Sequence, residues 1–298
     1  MRKLIKSIKI LFFNFTYERF PNIFRPSSIP YISGDTFRNF SDHIFDECNS
    51  IDWLKVKDGD VVFVSGDLIS VFFKIMHEKI NSKYILITHN SDENLNLEIF
   101  DKFYDKKIIH WFSQNLCFKE NENISLVPIG LENRRRLKNG QKKWFKKNEL
   151  LKDRLILSSF DIYTNYQERQ PVVDIFKGNK NIDIKNFKST KDYFETIRKY
   201  RFAICPPGNG IDTHRIWECL LLETIPILKR SIFSENLTKY EIPLLIVEDW
   251  DDLNHLEEKF FISEYDKLTY NYEMGLYSSS KFWFEKINSM KEKYNLDN

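Results

Sequence analysis

From about residue 60 onward, short apolar runs alternate with longer helical patterns, and they do so in two series. The first series is Val61–Val64, Tyr84–Thr88, Lys107–Phe112 and Ile124–Ile129. The second is Leu155–Phe160, Phe202–Cys205, Ile225–Leu228 and Leu244–Val247. The runs are short and rich in β-branched and aromatic residues, as buried parallel strands are. Those of the first series end in small or polar residues: Ser65-Gly66-Asp67, His89-Asn90-Ser91-Asp92, Ser113-Gln114-Asn115 and Gly130. Helical patterns lie between the runs, for example Thr190–Tyr200 and Thr213–Glu223. Such alternation requires an open parallel sheet covered by helices on both faces. Two series joined near residue 150 predict two α/β domains facing a cleft. Ligands of such sheets bind outside the carboxyl ends of the strands, so the polar residues closing each run mark the rim of that cleft.

Composition narrows the class. Hydrophobic residues make up 42% of the 298 and aromatics 15%, enough for a core and too much for a disordered chain. Nine Gly and nine Pro exclude collagen-like and low-complexity chains. Cys48, Cys117, Cys205 and Cys219 form no C-x-x-C pair, so they read as buried thiols and not as a disulfide or zinc framework. The basic start, Met1–Phe15, has a short, lysine-interrupted apolar stretch and no cleavage site, unlike a signal peptide. No apolar run reaches the ~18 residues of a membrane span. The expected location is therefore cytoplasmic.

A net charge of +2 gives no field that would favour nucleic acid. It conceals one local excess, because residues 134–147 carry eight basic side chains and no acid. That run fits a phosphate-rich ligand, an anionic membrane surface or a merely solvated interdomain helix face. Trp144 and Phe145 beside the lysines favour the membrane, with the N-terminus as a second contact at its inner face.

Because glycine is scarce, the pair at Gly208 and Gly210 is informative. It lies in Cys205-Pro206-Pro207-Gly208-Asn209-Gly210-Ile211-Asp212-Thr213-His214-Arg215-Ile216-Trp217-Glu218, between a strand and a helix start. The two glycines are expected to allow positive φ and close approach of a ligand to main-chain N–H groups. Asp212 or Thr213 is expected to cap the helix. The helix N-terminus favours phosphate. His214 and Arg215 in the first turn oppose the helix dipole unless an anion compensates. Glu218, one turn on, can accept hydrogen bonds from the two hydroxyls of a ribose. The plainer alternative is an i, i+3 pair with Arg215, worth about 0.2–0.5 kcal/mol.

This passage resembles the exostosin-like glycosyltransferases: a Pro-Gly loop, a polar cap, His214-Arg215, the aromatic Trp217, Glu218, and a helix running into Ile225-Pro226-Ile227. The resemblance continues at Tyr240-Glu241-Ile242-Pro243, at Val247-Glu248-Asp249-Trp250, and at Ser158-Ser159-Phe160 with Asn165 and Arg169. It implies the GT-B architecture, two Rossmann-like domains facing a cleft. Residues 1–150 would form the acceptor-side domain and 151–275 the nucleotide-sugar-binding domain, with 276–298 a last helix packing back on the first. It implies a UDP- or GDP-linked sugar donor and a glycan or lipid-linked glycan acceptor, in surface polysaccharide biosynthesis. Glu218 would hold the ribose, and His214 and Arg215 would face the diphosphate, with Asn165 and Arg169 as helpers. Pro207, Gly208, Asn209, Gly210 and Asp212 would shape the loop. Inversion without a metal is also implied, and no D-x-D follows a strand in a metal-holding context.

An inverting transfer needs a general base for the acceptor hydroxyl. It is expected from the first domain, across the cleft: Asp92 foremost, with Glu93, His89 and Asp67 as alternatives. His110, within a strand, reads as a satisfied core histidine. The competing reading is a non-catalytic nucleotide-sugar or glycan-binding protein on the same fold.

Overall fold

The computed structural model describes residues 25–146, 151–271 and 273–296. The basic start of the chain therefore lies outside the described residues. The first sheet comprises β1 (His43–Phe45), β2 (Val61–Ser65), β3 (Tyr84–His89), β4 (Ile108–Ser113) and β5 (Ile124–Leu126), paired in that order and all parallel. The second comprises β6 (Arg154–Ser158), β7 (Ile182–Ile184), β8 (Tyr200–Ile204), β9 (Ile225–Lys229) and β10 (Leu245–Val247). Its order is β10-β9-β8-β6-β7, again all parallel. The two-domain α/β architecture expected from the alternating runs is thus present.

Every residue of β2 and β3 is buried, which is what uninterrupted apolar runs require when both faces of a sheet are covered. Two strands had no clear pattern in the sequence. β1 and β7 are edge strands of three residues, and β7 carries Asp183 at its centre. β5 stops at Leu126 and not at Ile129, since Pro128 has no N–H to give to a ladder.

Nine α-helices connect and cover the sheets among the described residues. They are α1 (Gly34–Phe40), α2 (Ile69–Ile75), α3 (Leu97–Phe103), α4 (Tyr166–Ile175), α5 (Thr190–Ile197), α6 (His214–Leu221), α7 (Ile232–Thr238), α8 (Glu258–Asn271) and α9 (Ser280–Leu296). α9 touches both halves. Its Phe284 stacks on Phe40 of α1 with centroids 4.0 Å apart, while Trp283 lies 5.3 Å from Tyr240, just beyond α7. No described helix is long and apolar enough to cross a membrane.

The basic run folds as two 3-10 turns, Arg134–Arg136 and Lys142–Phe145, and not as one helix face. Arg134 donates to Ser27 O at 2.9 Å, and Arg135 faces the buried Asp35. Trp144 stacks on Phe194 of α5 at 5.7 Å, and buried Phe145 meets the same ring edge-on at 5.1 Å. The aromatic pair that favoured a membrane surface instead fastens the linker to the second domain.

One glycine is fixed by the crossing of the linker with the N-terminal segment. Gly130 has φ +64°, and a Cβ there would stand 2.5 Å from Ile32 O. Gly130→Ala is expected to lower unfolding free energy by about 1–3 kcal/mol through left-handed strain and overpacking. Denaturant unfolding measures this, and an unchanged midpoint would contradict it.

Candidate active site

In the second sheet, β6 lies between β7 and β8, so the chain leaves it toward opposite edges. The carboxyl ends of β6 and β8 therefore open a crevice at a topological switch point. A cleft of about 980 Å³ lies there. The second domain lines it with the turn after β6, the segment Asn186–Thr190 and the loop Gly208–Arg215. Asp92, Ile129, Glu132, Arg136 and Lys138 line it from the other side.

The loop before α6 differs from expectation in three ways. First, neither Gly208 nor Gly210 is among the positive-φ residues. What Gly210 permits is close packing within the protein, since a Cβ would fall 2.6 Å from Asn115 Nδ2 of the first domain. At Gly208 a Cβ would stand 3.1 Å from Arg169 Nη2. Second, Asp212 does not cap the helix. Its Oδ1 accepts from Trp217 Nε1 at 2.8 Å and its Oδ2 from the Ile129 main-chain N–H at 2.6 Å. It is a clasp between domains, and burial pushes its carboxyl up to about 7. Third, Thr213 takes the N-cap position without a side-chain cap bond, and its Oγ1 is buried without a partner.

His214 is tied across the cleft as well, with Nδ1 2.7 Å from Gly130 O. A carbonyl only accepts, so Nδ1 carries the proton. Asn115, in the left-handed region at φ 52°, completes the junction. Its Oδ1 accepts from Asp212 N at 3.1 Å, and its Nδ2 donates to Ser91 O at 3.2 Å. One buried amide thereby joins the α6 loop to the loop that carries Asp92.

The charged groups follow. Arg169 donates to Pro207 O at 2.8 Å and to Asp161 O at 2.7 Å, its guanidinium over the Phe160 ring. Asn165 caps α4 and donates to Gly208 O at 2.8 Å. Asn165 and Pro207 thus support the loop from outside the cleft lining. Arg215 lies over the Tyr193 ring at 5.5 Å and reaches its hydroxyl at 3.5 Å. Among the described residues neither Arg169 nor Arg215 makes an ion pair, so the i, i+3 pair of Arg215 with Glu218 is not formed. Burial, followed by the charge of Arg215, brings the Arg169 guanidinium down to about 10. Two guanidiniums beside an uncapped helix start can hold a polyanion.

Glu218 is 3% exposed. Its Oε2 accepts from Tyr193 Oη at 3.0 Å, and its Oε1 is buried with no partner, on the cleft lining. Burial pushes this carboxyl up. Tyr193 was not singled out in the sequence. It stands 25 residues before Glu218 in a helical pattern, and only the fold brings the two together.

The base candidates separate. Asp92 lines the cleft and accepts from Asn209 Nδ2 at 3.1 Å across it. Glu93 and Asp67 line a different cavity, of about 280 Å³, within the first domain. His89 is corrected. Its Nδ1 accepts from Asn90 N at 2.6 Å, and its Nε2 is bonded to Pro128 O at 3.0 Å. Both ring nitrogens are used, and burial drives the pKa down to about 4. His110 is satisfied in the core by Glu122 O and Ser125 Oγ, as read from the sequence. Among the described residues no three His, Cys, Asp or Glu side chains gather to hold a metal.

No protein-family model matches the chain, and no curated protein matches it in sequence. Several solved structures are similar in layout. The N-terminal domain of trehalose-6-phosphate phosphatase from Candida albicans matches at 12% identity and TM-score 0.42, over 80% of this chain and 71% of that one. An alpha,alpha-trehalose 6-phosphate synthase from Burkholderia multivorans matches at 8% and 0.45, over 82% and 72%. TarM matches at 8% and 0.41, and this chain covers 53% of its length. Likeness this distant carries no argument about activity. The class is read from the sheets themselves: two parallel-sheet α/β domains facing a cleft.

An unfolded histidine titrates near 6.5, so His89 binds its proton more weakly when folded. Its contribution to stability is complete above pH 6.5 and is lost as pH falls toward 4, by about 2 kcal/mol between pH 7 and 5. Imidazole resonances followed by NMR should show His89 neutral down to about pH 4. A midpoint near 6.5 would restore it as a base candidate.

Proposed function

We propose that the protein is a glycosyltransferase that moves a sugar from a UDP- or GDP-linked donor to a glycan or lipid-linked glycan acceptor, with inversion and without a metal. The observation that carries this is the pairing of an orphan carboxylate oxygen on Glu218 with two unneutralised guanidiniums, Arg169 and Arg215. His214 and Glu218 are four positions apart in the helix, about 6 Å along the axis. A nucleoside diphosphate presents a diol at one end and charge at the other over a comparable span. Glu218 Oε1 would accept from the ribose hydroxyls. The diphosphate would take the charge of Arg169 and Arg215, together with the N–H groups at the start of α6.

The chemistry follows from these placements. As the bond between the anomeric carbon and the diphosphate oxygen breaks, negative charge grows on the leaving phosphate. The guanidiniums and helix N–H groups would stabilise that charge, held in place beforehand by contacts such as those of Arg169 to Pro207 O and Asp161 O. Asp92 would take the proton of the acceptor hydroxyl as its oxygen bonds to the anomeric carbon from the opposite face. For a lipid-linked acceptor, exposed Lys143 and Lys146 remain as cations for an anionic surface.

Release of nucleoside diphosphate from a panel of nucleotide sugars and glycan acceptors tests the reading. Glu218→Ala and Tyr193→Phe should each weaken nucleoside diphosphate binding, the latter about 10- to 150-fold for a lost hydrogen bond to a charged group. If wild type and Glu218→Ala release equally little with every donor, the enzyme reading fails and only binding remains. Asp92→Asn should lower kcat at least ~100-fold, as expected for loss of a general base, while sparing donor affinity. Unchanged turnover would remove Asp92 from the role.

A further inference from the structure

Two aromatic rings at the lip of the cleft have no part in the site described above. Tyr163, in the 3-10 turn Ile162–Thr164, is 85% exposed and lines the cleft. Tyr166, the first residue of α4, is 56% exposed and lies just outside it. Their rings are stacked, with centroids 6.3 Å apart and planes 21° from parallel. Neither hydroxyl makes a hydrogen bond among the described residues. The buried tyrosines Tyr84, Tyr193 and Tyr200 all bond theirs.

Single exposed aromatics are ordinary. These two differ because each is wired to the α6 loop through a neighbour. Asp161 accepts from the Tyr163 N–H at 2.9 Å, and its carbonyl receives Arg169, which also holds Pro207 O. Asn165 caps α4 directly before Tyr166 and donates to Gly208 O. The rings are therefore set at a fixed distance from the groups assigned to the diphosphate, and they lead outward from the cleft.

We propose that Tyr163 and Tyr166 form a stacking platform for pyranose rings of an acceptor glycan, which enters the cleft past α4. The proposal rests on the reading of the cleft as a glycosyltransferase site. The chemistry is that of the aromatic face. Its negative quadrupole attracts the slightly positive C–H face of a pyranose, while the sugar hydroxyls stay in water. Two near-parallel rings in sequence match two successive sugars of a linked chain. The favoured acceptor is therefore an oligosaccharide of at least two sugars, and not a single sugar or small aglycone. The nucleoside is assigned elsewhere, at buried Glu218 and Tyr193.

A printed array of linear glycans from one to six sugars tests this, probed with wild type, Tyr163→Ala/Tyr166→Ala and Tyr163→Phe/Tyr166→Phe. Calorimetry with UDP and GDP runs in parallel. Wild type should retain glycans of two or more sugars. The double alanine variant should bind them about tenfold more weakly, and the double phenylalanine variant, which keeps the rings, should bind as wild type. UDP or GDP affinity should stay within about twofold throughout. The proposal is overturned if wild type retains no glycan, if the alanine variant binds like wild type, or if the alanine variant loses nucleotide binding, which would make the rings a nucleobase contact. Absence of UDP and GDP binding in wild type would instead count against the donor-site reading, with the glycan result standing separately.

Discussion

The Asp212 carboxylate holds this molecule's cleft in its observed form. It comes from the second domain, yet it accepts the Ile129 N–H of the first at 2.6 Å, and with its other oxygen it anchors Trp217 inside α6. The same few residues make the neighbouring contacts: Asp212 N to Asn115, His214 to Gly130 O, and Asn209 to Asp92. A carboxylate buried this far is costly to charge, which is why it is pushed up to about 7. Since its folded pKa stands above the unfolded one, its contribution to stability is full below about 4 and declines as pH rises through 7. The clasp is held by N–H donors and no cation, and the position of the α6 loop depends on it.

That loop position decides what the cleft can hold. Arg169 and Arg215 feel each other's charge, and among the described residues neither makes an ion pair, although the chain as a whole is almost neutral. Glu218 stands one turn further on with one oxygen satisfied by Tyr193 and the other left open. An arrangement with opposed cations and an orphan acceptor costs stability in the empty protein. Unmet polar groups of this kind are what the proposed nucleotide-sugar donor would satisfy. Asn115 extends the junction to the Ser91–Glu93 segment, so the residue offered as base and the loop offered as phosphate cradle share one support.

Much of the fold was legible in the chain because parallel strands covered on both faces must be continuous apolar runs. Eight of the strands show as such runs, from Val61–Val64 to Leu244–Val247. The edges were not legible: His43–Phe45 and Ile182–Ile184 are short and half-exposed, with nothing periodic to mark them. In the site, Gly208–Glu218 could be read because breakers, helix start and charge reversal are adjacent in sequence. The reasons for the glycines could not, since Gly210 answers to Asn115 from the other domain. The basic linker shows the same limit, because nothing local tells Trp144 and Phe145 that Phe194 will cover them.

The sequence by itself determined the layer order, the place of the cleft rim and the charged helix start at His214, because those depend on neighbours along the chain. Only the tertiary structure decided that Asp212 is a clasp, that His89 is sealed from the cleft while Asp92 is open to it, and that Tyr193 stands behind Glu218. Each of these depends on which groups are desolvated together. Desolvation is a property of two surfaces in contact, and no single segment of the chain carries it.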